Sequence, residues 1–116
     1  MAETPTVAAS GTLTAVIGTE SDLFDTSGPG TFTFDVDPVN MAAGDLVELR
    51  VYKMVLTGGT RRVAYLARYW DVQPTDDMIK ISVPVSTPLS DSGALRFTLK
   101  QVQGTGRNFP WSVNQY

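Results

Sequence analysis

The 116-residue chain has no cysteine and no histidine. Without cysteine there is no disulfide to staple the fold and no thiolate metal site. Without histidine the commonest general base and the commonest metal ligand are both missing. Acid–base chemistry would have to rest on paired carboxylates, as in glycosidases. The expectation is therefore a protein that is not an enzyme and needs no cofactor or metal. Long apolar runs are missing too, so no stretch approaches a membrane span and no membrane partner is expected. The opening MAETPTVAAS carries Glu3 where a secretory signal has basic residues. No signal peptide is read there, which points to synthesis in the cytoplasm. No segment repeats its apolar residues at helical spacing over three turns; the period is two nearly everywhere.

Basic residues are absent from residues 1–45, which hold seven of the acidic residues, whereas residues 46–116 hold all nine Lys and Arg. Two readings follow from this asymmetry. Strands from the two halves lie side by side and neutralise each other, or an acidic segment of one copy lies on a neighbour's basic surface. A nucleic-acid partner is disfavoured, because the cations are scattered and the pI is about 4.7.

What the chain does have is a long hairpin over residues 45–72, DLVELRVYKMVL-TGGT-RRVAYLARYWDV. If Gly58 and Gly59 take the positive φ angles of a two-residue loop, Val47 lies opposite Trp70 and Val51 opposite Leu66. One face then collects Val47, Leu49, Val51, Val55, Leu66 and Trp70. The other collects Tyr52, Met54, Val63, Tyr65 and Tyr69 around Glu48 and Arg50. A sheet with one wet side alternates more cleanly than this, so the tyrosine-rich face is expected to meet another layer, a second subunit or a larger assembly.

Elsewhere, residues 1–10 read as a flexible arm before a single domain over residues 11–116. Strands are expected at residues 12–17, 31–37, 78–85, 94–102 and 107–113, with loops at 18–30 and 86–93. About seven short strands with Gly/Pro-rich turns imply an all-β, antiparallel sandwich, jelly-roll-like. The expected core is Leu13, Ile17, Phe32, Phe34, Val36, Val47, Leu49, Val51, Leu66, Ile79, Ile81, Val83, Leu95, Phe97 and Leu99.

Three patterns invite a chemical reading. Gly104-Thr105-Gly106-Arg107 has the look of an anion cradle, but such loops normally open a helix and Pro110 prevents one, which favours a strand-connecting turn. Asp76 with Asp77, or Asp35 with Asp37, could offer oxygens to Ca²⁺; a turn cap and outward strand positions account for them more simply. Trp70, Trp111, Tyr52, Tyr65 and Tyr69 could form a sugar-stacking platform or interface anchors. For the tyrosines the interface is favoured; Arg61 and Arg62 at the hairpin tip read most simply as a solvated turn, and at a subunit boundary they would reach a neighbour's acidic segment. The interface set is thus Tyr52, Met54, Tyr65, Tyr69, Arg61, Arg62 and Trp111.

The block Asn40-Met41-Ala42-Ala43-Gly44-Asp45-Leu46-Val47-Glu48-Leu49-Arg50-Val51-Tyr52, the hairpin through Tyr65, and the ending Lys100-Gln101-Val102-Gln103-Gly104-Thr105-Gly106-Arg107-Asn108-Phe109-Pro110-Trp111 resemble a group of small proteins encoded among the virion genes of tailed bacteriophages. The resemblance covers about residues 11–113. It implies the context of capsid decoration or cement proteins, which sit on the assembled shell against the major capsid protein, often as trimers at its symmetry axes. It also implies a homo-oligomer on the virion surface and an arm, residues 1–10 with Asp22 and Asp25, that contacts the shell. A carbohydrate- or receptor-binding module of a phage tail or fibre is the alternative.

Overall fold

A computed structural model of the chain describes residues 4–116. It is an antiparallel sandwich of nine strands: β1 (Thr6–Thr14), β2 (Glu20–Asp25), β3 (Gly30–Val36), β4 (Leu46–Met54), β5 (Arg61–Trp70), β6 (Lys80–Ile81), β7 (Val85–Thr87), β8 (Leu95–Gln103) and β9 (Asn108–Gln115). One sheet has the order β1-β9-β3-β6, with β7 also on β3, and the other β2-β8-β4-β5.

Five of the pairings are nested: β1 with β9, β2 with β8, β3 with β6 and with β7, and β4 with β5. The chain is therefore one long hairpin with its tip at β4–β5, rolled up so that β9 also meets β3 and β8 also meets β4. This winding is the jelly roll, and β6 and β7 together fill one strand position interrupted around Pro84.

The cause is visible in the alternation. Phe32, Phe34 and Val36 on β3, Val47, Leu49 and Val51 on β4, and Leu95, Phe97 and Leu99 on β8 all point between the sheets and are buried, as their period of two requires. Phe97 sits at the centre, with ring centroids of Phe24, Phe32 and Phe34 at 6.3, 6.2 and 5.8 Å. Phe109 and Val113 of β9 complete the layer.

Several expectations are corrected. Residues 6–10, expected in an arm, are strand, with Thr6 opposite Gln115 and Ser10 opposite Ser112. The expected loop at 18–30 contains β2, whose alternation is broken by a bulge at Leu23. In the expected strand 78–85 the phase is inverted: Ile79, Ile81 and Val83 are exposed while Lys80 and Ser82 are buried. The reason is local. Ser82 continues the ladder with its hydroxyl, which accepts from Phe34 N at 2.9 Å, and Lys80 turns inward to the Asp77 carbonyl and over the Tyr69 ring. Ile17 and Leu66 are also exposed rather than core, and Leu13 is half-buried against it.

Candidate interaction surface

The β4–β5 hairpin forms, but in a different register. Its loop spans residues 55–60, closed by Gly59 N donating to Leu56 O at 2.8 Å, and Gly58 rather than both glycines has positive φ, at 72°. Val47 lies opposite Tyr69 and Val51 opposite Tyr65; a bulge at Ala64 then shifts the pairing so that Tyr52 faces Val63. A slip of one residue moves every side chain of a strand to the other face. Tyr65 and Tyr69 accordingly pack against the core cluster, and Leu66, Arg68 and Trp70 take the outer face. Burial, with the Tyr65 hydroxyl adding to it, pushes the Tyr69 phenol up to about 12.

The expected interface set is thereby dispersed. Tyr52 does lie on the outer face, but its hydroxyl donates to Glu20 at 2.6 Å. Met54 is half-buried near the tip. Arg61 reaches Asp25 at 3.5 Å and the Gly93 carbonyl at 3.2 Å. Trp111 is half-buried with its ring over Gly11. Arg62 remains exposed.

The outer face of the β2-β8-β4-β5 sheet is closed by ion pairs. Glu20 accepts from Arg50, Tyr52 and Thr98, and Glu48 accepts from Arg50 and from Arg68 at 2.6 Å. Arg96 holds Asp25 at 3.0 Å and reaches Asp22 at 3.4 Å. Arg107 holds Asp45 at 2.8 Å. Burial alone would raise the Glu20, Asp25 and Asp45 carboxyls, but the hydrogen bonds and cations around each outweigh it and hold all three below their ordinary values. The acids of the first half and the bases of the second thus meet within one molecule, as the first of the two readings expected. Asp22 and Asp25, expected at the shell, are partners of Arg96.

The anion-cradle reading of residues 104–107 is also resolved. The turn joins β8 to β9, and its inward N–H groups are engaged: Thr105 N donates to Asp45, and Arg107 N to the buried Gln101 side chain. Asp76 and Asp77 form a single 3₁₀ turn, with Asp77 near Lys80. Asp35 and Asp37 lie along an open groove of about 500 Å³ on the outer side of the β1-β9-β3 sheet, beside Ser10, Ser112, Pro110 and Ile79. Asn114 donates to one Asp35 oxygen at 2.8 Å, while the other is buried without a partner among the described residues. Burial raises this carboxyl. Among the described residues no group of three acids could hold a metal ion.

One side of the sandwich differs from the rest. β5 and β6 end their respective sheets, and Lys80 Nζ of β6 lies 5.0 Å from the Tyr69 ring centroid of β5, so the two strands flank one lateral side. No described strand pairs with the outer edge of β5. On the outer face of β5, Val63, Leu66 and Trp70 are 48, 39 and 55 % exposed; Ile81 of β6 faces outward from the opposite sheet, with Ile79 and Val83 also exposed. Single exposed apolar residues are ordinary; a series of large ones beside two terminal strands is the composition of an interface. The signal for this surface was in the sequence, since residues 61–83 carry more large apolar side chains than one face can bury, but register decided which of them stay outside. No protein-family model, curated protein or solved structure matches this chain.

Proposed function

We propose that this protein is a structural component of a bacteriophage virion, a decorating or cementing domain that bridges neighbouring subunits of the shell. The observation that carries the reading is the lateral side just described, where β5 has one edge unpaired among the described strands and carries exposed Val63, Leu66 and Trp70. The jelly roll supports it by fold-level analogy, being an architecture of viral capsid domains, and analogy of that kind transfers context and not a site. The resemblance read in residues 40–52, the hairpin through Tyr65 and residues 100–111 points to the same context. Repeated over a shell, contacts of modest strength at each copy sum to a strong clamp.

Co-sedimentation with expanded capsids that lack the protein tests this. Saturable binding that weakens when Ile81 and Val83 are changed to Ser is expected; purified protein that stays in the supernatant with every capsid form would count against it. A second reading, a carbohydrate-binding module of a tail or fibre, is favoured by one observation: the Trp70 indole is more than half exposed, as a sugar-stacking platform requires. It predicts that surface glycans of the host shield Trp70 from acrylamide quenching, and a flat quenching response across a glycan panel removes it.

A further inference from the structure

We propose that the partner of the β5 edge is β5 of a second copy, paired antiparallel about Ala67 to make one continuous eight-stranded sheet. This rests on reading the lateral side as an interface and not on any capsid.

The first observation is local symmetry. The bulge at Ala64 ends the regular part of β5 on one side and Asp71, with φ 62°, ends it on the other. Between them the strand reads Tyr65-Leu66-Ala67-Arg68-Tyr69, the same outer residue type at each end and the smallest side chain in the middle. An antiparallel strand paired with itself places residues equidistant from its centre opposite one another and on the same face. With Ala67 on the two-fold axis, Tyr65 meets Tyr69 of the second copy, an aromatic pair of the kind that stabilises cross-strand contacts. Leu66 meets Arg68, whose aliphatic stem covers the exposed leucine. Trp70 marks the end of the pairing, because its carbonyl already accepts from Gln73 Nε2 at 2.8 Å.

The second observation is charge. Edge strands commonly avoid pairing by carrying cations. Arg68 is neutralised by Glu48 at 2.6 Å, and in this register no arginine of residues 65–70 faces another. Moving the axis one residue pair along, to Arg68, would set Arg68 against Arg68, a directly opposed like-charge pair. An axis at Tyr65 or at Tyr69 keeps one tyrosine pair in place of two, and the axis at Tyr65 sets Arg62 against Arg68. The edge is therefore complementary to itself in one alignment, which is what closes an assembly at two copies.

The absence of cysteine makes the test direct. Directly opposite Cα atoms in an antiparallel pair lie about 4.5–5.5 Å apart, within disulfide reach. Light scattering of the purified full chain should give twice the 12.6 kDa chain mass at concentrations on the order of 10⁻⁴ M. Ala67→Cys should oxidise to a single linked dimer much faster than Thr57→Cys in the exposed loop. Leu66→Lys, an exposed position opposite Arg68 in the proposed pair, should weaken association at least tenfold, about 1.4 kcal/mol, while leaving in place the thermal midpoint measured at a dilution where both proteins are monomeric. A monomer at that concentration, a trimer, or equal oxidation rates for the two cysteine variants would overturn the pairing. A monomer that still binds capsids would sink this inference and leave the proposed function standing.

Discussion

Replacing Asp45 by Asn should cost about 3 kcal/mol of folding stability at neutral pH. Asp45 is 1 % exposed, and its two oxygens tie three segments together: one accepts Ala42 N at 2.9 Å and Arg107 Nε at 2.8 Å, the other Thr105 N at 3.3 Å. Asparagine keeps the volume and one acceptor. If that acceptor serves Ala42 and Arg107, the new NH₂ group confronts the Thr105 N–H, donor against donor. Losing the charge on a hydrogen bond costs about 1.5–3 kcal/mol and leaving a buried donor unpaired about 1–3. Arg107 is partly exposed, so water recovers some of the loss and the total belongs near the lower end. For a chain of this length about 1 kcal/mol shifts the midpoint by roughly 4 °C, so thermal unfolding followed by circular dichroism should fall by about 12 °C. The pH dependence supplies a second constraint. The folded Asp45 carboxyl titrates below its unfolded value, so its contribution is fully present above about pH 4 and disappears as pH falls through the folded value. The gap between wild type and Asp45→Asn should therefore narrow towards pH 2. A variant within 1 kcal/mol of wild type at pH 7, or a gap that is independent of pH, would refute the reasoning.

Other expectations follow from the same structure. Phe97→Ala removes the ring that Phe24, Phe32 and Phe34 surround and should cost about 3–5 kcal/mol in urea unfolding; a loss below 1 kcal/mol would mean that the core is not built around it. Gly104→Ala should destabilise by more than 1 kcal/mol, because φ is 99° and the new Cβ would collide with the Asp45 carboxylate; equal midpoints would contradict this geometry. Asp35→Asn should stabilise slightly at pH 7, since burial raises the Asp35 carboxyl and the charged form is disfavoured in the fold. That gain should vanish below about pH 4, where the wild-type carboxyl is protonated in both states; a gain that persists in acid would rule out the charge as its cause.

How much of this was legible in the chain depends on which strand is considered. β3, β4 and β8 are interior strands with one face on the core, so Phe32, Phe34, Val47, Leu49, Phe97 and Leu99 announce themselves by alternation. β2 did not, because ESDLFD spends its outward positions on carboxylates and a bulge at Leu23 breaks its period. The hairpin was legible as a hairpin, yet its register depended on a longer loop and on the Ala64 bulge, neither of which composition reveals. That single difference exchanged Tyr65 and Tyr69 for Leu66 and Trp70 on the outside. Residues 78–83 misled in the opposite way: apolar alternation is real there, but it faces outward because Ser82 and Lys80 have better partners inside. The interaction surface was thus readable as an excess of apolar side chains and unreadable as a list of residues.

Amide hydrogen exchange across residues 65–70, followed as the protein is diluted, tests the central claim most directly. Because β5 has one neighbour among the described strands, alternate amides along it should exchange quickly in dilute solution and become protected as concentration rises. Protection that stays the same at every concentration, whether high or low, would contradict an edge that is completed by another molecule.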